Sequence, residues 1–442
     1  MAELVFRRKF GASIATVGLH YGPASGDSGY NASGENRAGQ VAARLEPGHL
    51  TDVNPTTGTP PNPAVDIRVI DSQPALEQLT AELAREPLVA VDTEAASFHR
   101  YHDRVYLLQL SSRTTTAVVD PLAVRDLASF GAVLADPAVE IVFHDADYDL
   151  RLLDREFGLR ATRLFDTRVA AQLLNEPGVG LAALLEKYLG VKLDKRFQRA
   201  DWSARPLLPG MLEYAAADTR NLAALRDILR DQLIERGRLA WAEEEFSYLE
   251  SVRWTVSEDD EPAWLRMKGA KALRPRGLAV LREVFEWRDA LARKADKAPF
   301  RVINNEPMLA ISRDQPTDVA TLKAVPGVGH DLVNRRGHDL LAAVERGLAV
   351  AELDLPRVER ATRRAPDPAL DARLERLKAV RNREATRLDL APGVLCPNGT
   401  LEAIARAMPE TPKALEQVPG LRRWQAETIG AALLSAAAAP TP

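Results

Sequence analysis

The carboxy-terminal part of this 442-residue chain repeats itself at a constant offset of 93 residues, with no gap. Ala298-Pro299 falls on Ala391-Pro392, Asn305 on Asn398, Ala310-Ile311 on Ala403-Ile404 and Pro316 on Pro409. Leu322 falls on Leu415, Val325-Pro326-Gly327 on Val418-Pro419-Gly420, Gly337 on Gly430 and Leu340-Leu341 on Leu433-Leu434. Two amphipathic helical stretches share leucine spacing by accident, but accident does not also align prolines and glycines, which mark special backbone dihedrals. The repeat therefore predicts two small all-α bundles, at about 275–351 and 368–438.

Ahead of the repeat the pattern changes. Short apolar runs at Leu88–Val91, Val105–Leu110, Ala117–Val119 and Glu140–Phe143 read as strands. Helical spacing follows at Leu122–Leu134, Tyr148–Phe157, Thr167–Leu174, Leu181–Leu189 and Met211–Leu233. Strands first and helices later predict an α/β domain over 66–262, with helices packed on a central sheet. Residues 1–65 are excluded from the fold, because nine glycines and six prolines lie between Gly11 and Ala64. Arg7, Arg8 and Lys9 precede an apolar run too weak for an export signal, so this stretch reads as an unstructured tail.

No run approaches the roughly 18 apolar residues of a membrane span, which predicts a soluble protein with no membrane partner. The single cysteine, Cys396, excludes an internal disulfide and any cysteine-based zinc site, and suits the cytoplasm. The net charge of −4 is unevenly spread: residues 265–442 carry 30 basic against 22 acidic side chains, so the acidic excess sits in the α/β segment. Such polarity points to an anionic partner.

Three groups of residues in the α/β segment can carry chemistry. Asp92 and Glu94, two apart at a strand end, share one face of the strand. Alone they also read as a strand emerging into water. Tyr214 and Asp218, four apart, share one helical face, with only Ala215, Ala216 and Ala217 between them. In His144-Asp145-Ala146-Asp147-Tyr148-Asp149, Asp145 or Asp147 can cap the following helix, whereas Asp149 is expected a turn inside it. Together these are four carboxylates and a tyrosine that one sheet edge would gather. Oxygen-only ligands favour a hard divalent cation, Mg²⁺ or Mn²⁺, over zinc. Carboxylates sharing two such ions are a standard arrangement for displacement at phosphorus.

Val91-Asp92-Thr93-Glu94, followed by Leu107-Leu108-Gln109-Leu110, resembles the first exonuclease motif of the ribonuclease D family. Val142-Phe143-His144-Asp145-Ala146-Asp147-Tyr148-Asp149-Leu150 resembles the second, and Tyr214-Ala215-Ala216-Ala217-Asp218 the third, in its tyrosine-containing form. Phe165-Asp166-Thr167 and Asp201-Trp202-Ser203-Ala204-Arg205-Pro206 are similar to that family as well. The repeats resemble the helical domain named for helicases and ribonuclease D (HRDC), although Val380 stands in the second where Trp287 stands in the first.

The resemblance implies a ribonuclease H-like α/β exonuclease domain with a central mixed sheet, followed by two HRDC bundles. It implies a 3′-to-5′ exoribonuclease that uses two divalent cations, Mg²⁺ or Mn²⁺, and releases nucleoside 5′-monophosphates. Its metal ligands would be Asp92, Glu94, Asp149 and Asp218, with Tyr214 contacting the attacking water. RNA with a free 3′ end, transfer RNA precursors among them, is the implied partner, with no obligate protein partner. A DNA exonuclease working in repair and a non-catalytic RNA-binding scaffold are the alternatives. The chain has no Gly-Lys dipeptide, hence no phosphate-loop motif, which disfavours a helicase.

Overall fold

The computed structural model describes residues 66–255, 261–358 and 367–439; the expected tail, 1–65, lies outside them. Six strands, β1 (Ile67–Ile70), β2 (Leu88–Ala95), β3 (Val105–Ser111), β4 (Thr116–Val119), β5 (Glu140–Phe143) and β6 (Leu164–Asp166), form one sheet in the order β1-β4-β3-β2-β5-β6. The sheet is mixed: β2 and β4 run antiparallel to β3, while β1 on β4, β5 on β2 and β6 on β5 are parallel. Its helices are α1 (Gln73–Leu83), α2 (Ala128–Ala135), α3 (Asp147–Phe157), α4 (Thr167–Leu173), α5 (Leu181–Leu189), α6 (Pro209–Arg220), α7 (Leu222–Glu235) and α8 (Leu239–Glu250).

Strands β1 and β6 and helices α1 and α8 have no counterpart in the sequence reading. Strand β6 is three residues long and β1 shows only one fully buried position, so neither displays a period. The helix expected over Met211–Leu233 is two helices, broken at Asn221, whose φ of −103° and ψ of 0° lie outside the helical range. The break ends α6 two residues after Asp218 and lets α6 cross β2, β3 and β4 separately from α7. There Leu107, Val118, Trp202, Met211, Ala215 and Ala216 share one apolar cluster. Ala215 and Ala216, between Tyr214 and Asp218, are thus on the face that lies on the sheet, whereas Ala217 is half-buried.

The duplication is visible in the backbone. The first bundle comprises α9 (Pro275–Lys294), α10 (Asn305–Asp314), α11 (Val319–Ala324) and α12 (His330–Ala349). The second comprises α13 (Pro368–Leu388), α14 (Pro392–Leu395), α15 (Asn398–Ala407), α16 (Pro412–Glu416) and α17 (Arg423–Ala438). Positive φ recurs at the 93-residue offset: Asp296 (44°) and Asp389 (48°), Gln315 (50°) and Met408 (46°), Gly327 (80°) and Gly420 (82°). A buried arginine on the first helix of each bundle donates to an asparagine, Arg288 to Asn305 Oδ1 and Arg381 to Asn398 Oδ1, both at 2.7 Å. Equal pairs in equal places are what a copied fold requires.

Both bundles meet the α/β domain through the same acid. Asp296 accepts from the backbone N–H of Tyr101 at 3.2 Å; Asp389 accepts from Asn175 Nδ2 at 2.8 Å and Arg236 Nη1 at 2.9 Å. Their packing differs. The first bundle has its own apolar core around Leu281, Val284, Ile311 and Leu340, against which Trp287 packs. The core of the second is continuous with that of the α/β domain, and Val380 packs against it. Trp424 is 2% exposed, stacks on Trp241 at 4.7 Å and donates through Nε1 to Glu245 at 2.9 Å. Trp424→Ala is expected to destabilise the chain by about 3 kcal/mol, because it opens a cavity and removes one of the two side-chain donors to Glu245, leaving only Arg422. A denaturant midpoint unchanged from wild type would refute a shared core.

Candidate active site

Strand β2 begins buried and becomes half-exposed at Asp92, so its last four residues leave the core while still held in the sheet. Asp92 and Glu94 alternate with Thr93 and share a face, and the register shift between Glu94 and Ala95 ends the pairing with β3 just beyond them. Asp218 approaches from the last turn of α6. Asp92, Glu94 and Asp218 each present a carboxylate oxygen, and these oxygens lie within 4.8 Å of one another. Asp218 gains nothing from its helix there, since a carboxylate at a helix C-terminus faces the negative end of the dipole.

Asp149 enters from α3, on the far side of β2. It is 6% exposed and accepts a hydrogen bond from the Thr93 hydroxyl, which ties it to the strand between the two acids. It lies in the first turn of α3 rather than a turn inside. Neither Asp145 nor Asp147 caps that helix: Asp145, at a φ of 70°, pairs with Arg168 at 2.7 Å, and Asp147 pairs with Arg151 at 2.7 Å. The turn is held instead by buried Asp166. Its carboxylate accepts from the backbone N–H groups of Asp145 (3.2 Å), Ala146 (2.8 Å), Arg168 (2.8 Å) and Val169 (3.1 Å). Asp166 thus anchors the start of both α3 and α4, a role its place in Phe165-Asp166-Thr167 does not disclose.

Tyr214 stands one turn before Asp218. Its ring lies 6.2 Å from that of Phe197 and 5.9 Å from that of Trp202, so the segment before α6 holds it from two sides. Gln109 also belongs to this neighbourhood. It is opposite Asp92 in the β2–β3 register, fully buried, and neither its Nε2 nor its Oε1 has a partner. Opposed residues of an antiparallel pair project to the same face, so a carboxamide faces the acids without being satisfied by protein.

The electrostatics are those of crowded anions. Burial, then the charge of Asp218, raises Asp92 to about 8. Burial, then Asp92, Asp218 and Asp149, holds Glu94 well above the usual carboxylate range. Burial, then Asp92, does the same to Asp149, and burial alone lifts Asp218 to about 7. Tyr214 is raised by burial and then by Asp218, Glu94 and Asp92, so its hydroxyl keeps its proton at neutral pH. Burial lowers neighbouring His144 to about 4, leaving a neutral ring bonded through Nδ1 to Thr167 Oγ1 at 2.9 Å. No protein cation offsets the acids among the causes of these shifts. An all-oxygen donor set, mutually repelling and half-buried, fits a hard divalent cation.

A family model described as 3′-5′ exonuclease matches residues 67–234, and the HRDC domain model matches residues 277–344 and 371–436. Ribonuclease D of Granulibacter bethesdensis is 34% identical over 360 residues, which cover 80% of this chain and 88% of that protein. The structure of RNase D from Escherichia coli, described as an exoribonuclease involved in structured RNA processing, superposes with a TM-score of 0.60 at 26% identity. It covers 84% of this chain and 98% of that one. The catalytic core of RRP6 from Trypanosoma brucei superposes with a TM-score of 0.59 at 32% identity, covering 66% of this chain and 83% of that one. Sheet, paired bundles and sequence agree along most of the chain: it belongs to the ribonuclease D family of 3′-to-5′ exoribonucleases, its exonuclease domain followed by two HRDC domains.

Proposed function

We propose that this chain removes nucleotides from RNA 3′ ends, transfer RNA precursors and other small stable RNAs among them, in the cytoplasm, by a two-metal hydrolysis. The observation that carries the reading is the convergence of Asp92, Glu94 and Asp218 oxygens within 4.8 Å at the end of β2. Asp92 would serve both ions, Glu94 and Asp218 the first, and Asp149 the second. With divalent cations bound, the site gains Lewis-acid activation of a water and charge stabilisation of the departing 3′ oxygen.

The chain's own residues then position the reactants. Thr93 keeps Asp149 turned toward the strand, and Ala215 and Ala216 seat α6 on the sheet with Tyr214 and Asp218 one turn apart. Tyr214, protonated at neutral pH, orients the attacking water through its hydroxyl rather than acting as a standing base. Tyr214→Phe is expected to lower kcat about a hundredfold with KM within a few-fold of wild type. An unchanged kcat would remove the tyrosine from the mechanism.

The direct test uses one RNA sequence with either a free 3′ hydroxyl or a 3′ phosphate, and the matched DNA, each with Mn²⁺ or with chelator. Release of nucleoside 5′-monophosphates from the free RNA end, dependent on Mn²⁺, is expected. Equal turnover of DNA would favour a repair exonuclease, and retention of every strand would favour a binding scaffold.

A further inference from the structure

The seam between the exonuclease domain and the first bundle carries two aromatic rings that packing does not explain. Phe98 is 47% exposed and Phe300 is 44% exposed, and their ring centroids stand 6.3 Å apart at 74°. An edge-on pair leaves a face of one ring free. The seam is hydrogen-bonded: Ala298 donates its backbone N–H to His99 O at 3.1 Å, Arg301 Nε bonds Phe98 O, and Arg301 Nη2 lies 3.0 Å from His99 Nδ1.

The surroundings are cationic. Arg199 lies over the Phe98 ring at 5.3 Å, and Arg301 over the Phe300 ring at 5.9 Å. Neither arginine has a carboxylate partner among the described residues. The nearby acid, Asp201, is engaged by Arg100 at 3.2 Å. Bundle architecture does not demand this surface: at the 93-residue offset, Phe300 and Arg301 become Gly393 and Val394, and the second bundle folds without them. The platform also lies beside the acids. Phe98 follows Glu94 by four residues, at most about 14 Å of chain. Phe197, whose ring neighbours that of Tyr214, is two residues from Arg199.

We propose that Phe98 and Phe300, flanked by Arg199 and Arg301, form a stacking site for unpaired bases of the substrate strand upstream of the scissile 3′ nucleotide. The proposal rests on the reading of the acids as the place where RNA 3′ ends are cut. Aromatic faces accept any base and guanidinium groups hold the backbone, the combination that binds single strands without sequence preference. It answers an electrostatic problem, since a nest of carboxylates repels the phosphates it must receive. Seating the strand on cations a few nucleotides upstream supplies the attraction that the acids lack.

The test measures binding by the full-length chain in chelator, where no hydrolysis is needed. The probes are a 12-nucleotide unstructured RNA with 2-aminopurine placed singly along it, and a trinucleotide. In wild type, quenching is expected at a small set of positions upstream of the 3′ end. In Phe98→Leu/Phe300→Leu, affinity for the 12-mer should fall about tenfold and the positional quenching should vanish, with trinucleotide affinity within twofold. Phe98→Trp/Phe300→Trp should keep both signals, which separates a lost stacking face from a damaged fold. Uniform quenching in wild type, or 12-mer affinity within twofold of wild type in the leucine variant, would overturn the proposal and leave the rings to a protein partner. Binding through the platform by a chain that hydrolyses no 3′ end would instead overturn the proposed function alone.

Discussion

Asp92→Asn is expected to reduce hydrolysis of RNA 3′ ends by about a thousandfold or more and, in the same preparation, to make the metal-free chain more stable. The two effects have one cause. Asp92 shares a cluster with Glu94 and Asp218 and also acts on Asp149 from across the strand, so its charge opposes each of the others. An amide at that position removes the charge without changing the shape. On the proposed two-ion reading, activity falls because the acid that would serve both ions is gone; stability rises because Glu94, Asp149 and Asp218 lose a neighbouring like charge. A gain of about 3 °C or more in the unfolding midpoint is expected for a chain of this size. A structural acid would show the reverse, with lost stability and intact turnover. Parallel loss of both would indicate a misfolded variant, which the circular dichroism spectrum would reveal.

The second large effect joins proton and metal. Asp92 and Asp218 are raised to about 8 and about 7 in the fold, against ordinary carboxylate values near 4 in the unfolded chain. A raised acid stabilises the fold in its protonated form. That contribution is complete below the unfolded value and is lost as pH climbs through the folded one. The metal-free chain should therefore gain stability as pH falls from 8.5 to 6.5, by roughly 1.4 kcal/mol per pH unit for each proton taken up. Glu156, raised to about 7 by burial, adds to the same slope. His144, lowered to about 4, acts with the opposite sign, but only once pH drops below the ordinary histidine range near 6.5. Acids with lowered values, such as Asp120 and Asp201, titrate below this window.

Divalent cations compete with those protons for the same oxygens. Mn²⁺ at a hundred times its dissociation constant should stabilise the chain at pH 8 by about 2.7 kcal/mol and flatten the slope between 8.5 and 6.5. The part of the slope due to Glu156 remains, so the Mn²⁺-sensitive fraction belongs to the cluster. Unfolding midpoints on a grid of pH and Mn²⁺ check this. A slope indifferent to Mn²⁺ would detach the raised acids from metal binding.

Part of this site is legible from spacing alone. Two residues apart on a strand and four apart on a helix fix which side chains share a face, and those rules place Asp92 with Glu94 and Tyr214 with Asp218. The repeat was equally plain, since prolines and glycines hold their register through 93 residues. What spacing does not encode is contact between elements. The Thr93–Asp149 bond spans 56 residues, Asp166 reaches back 20 residues to the turn before α3, and unpartnered Gln109 meets Asp92 only through strand register. The split at Asn221 was hidden because leucine periodicity runs through it, and β6 was too short to show a period. The fusion of the second bundle with the exonuclease core was invisible as well, because both bundles carry similar apolar patterns and only tertiary packing distinguishes them.

Whether the acids hold a pair of ions is decided by counting bound Mn²⁺ by electron paramagnetic resonance on the full-length chain at pH 7.5. Two saturable ions per chain are expected in wild type, with at least one lost in Asp218→Asn. Wild-type protein that leaves all added Mn²⁺ free in solution would contradict that expectation.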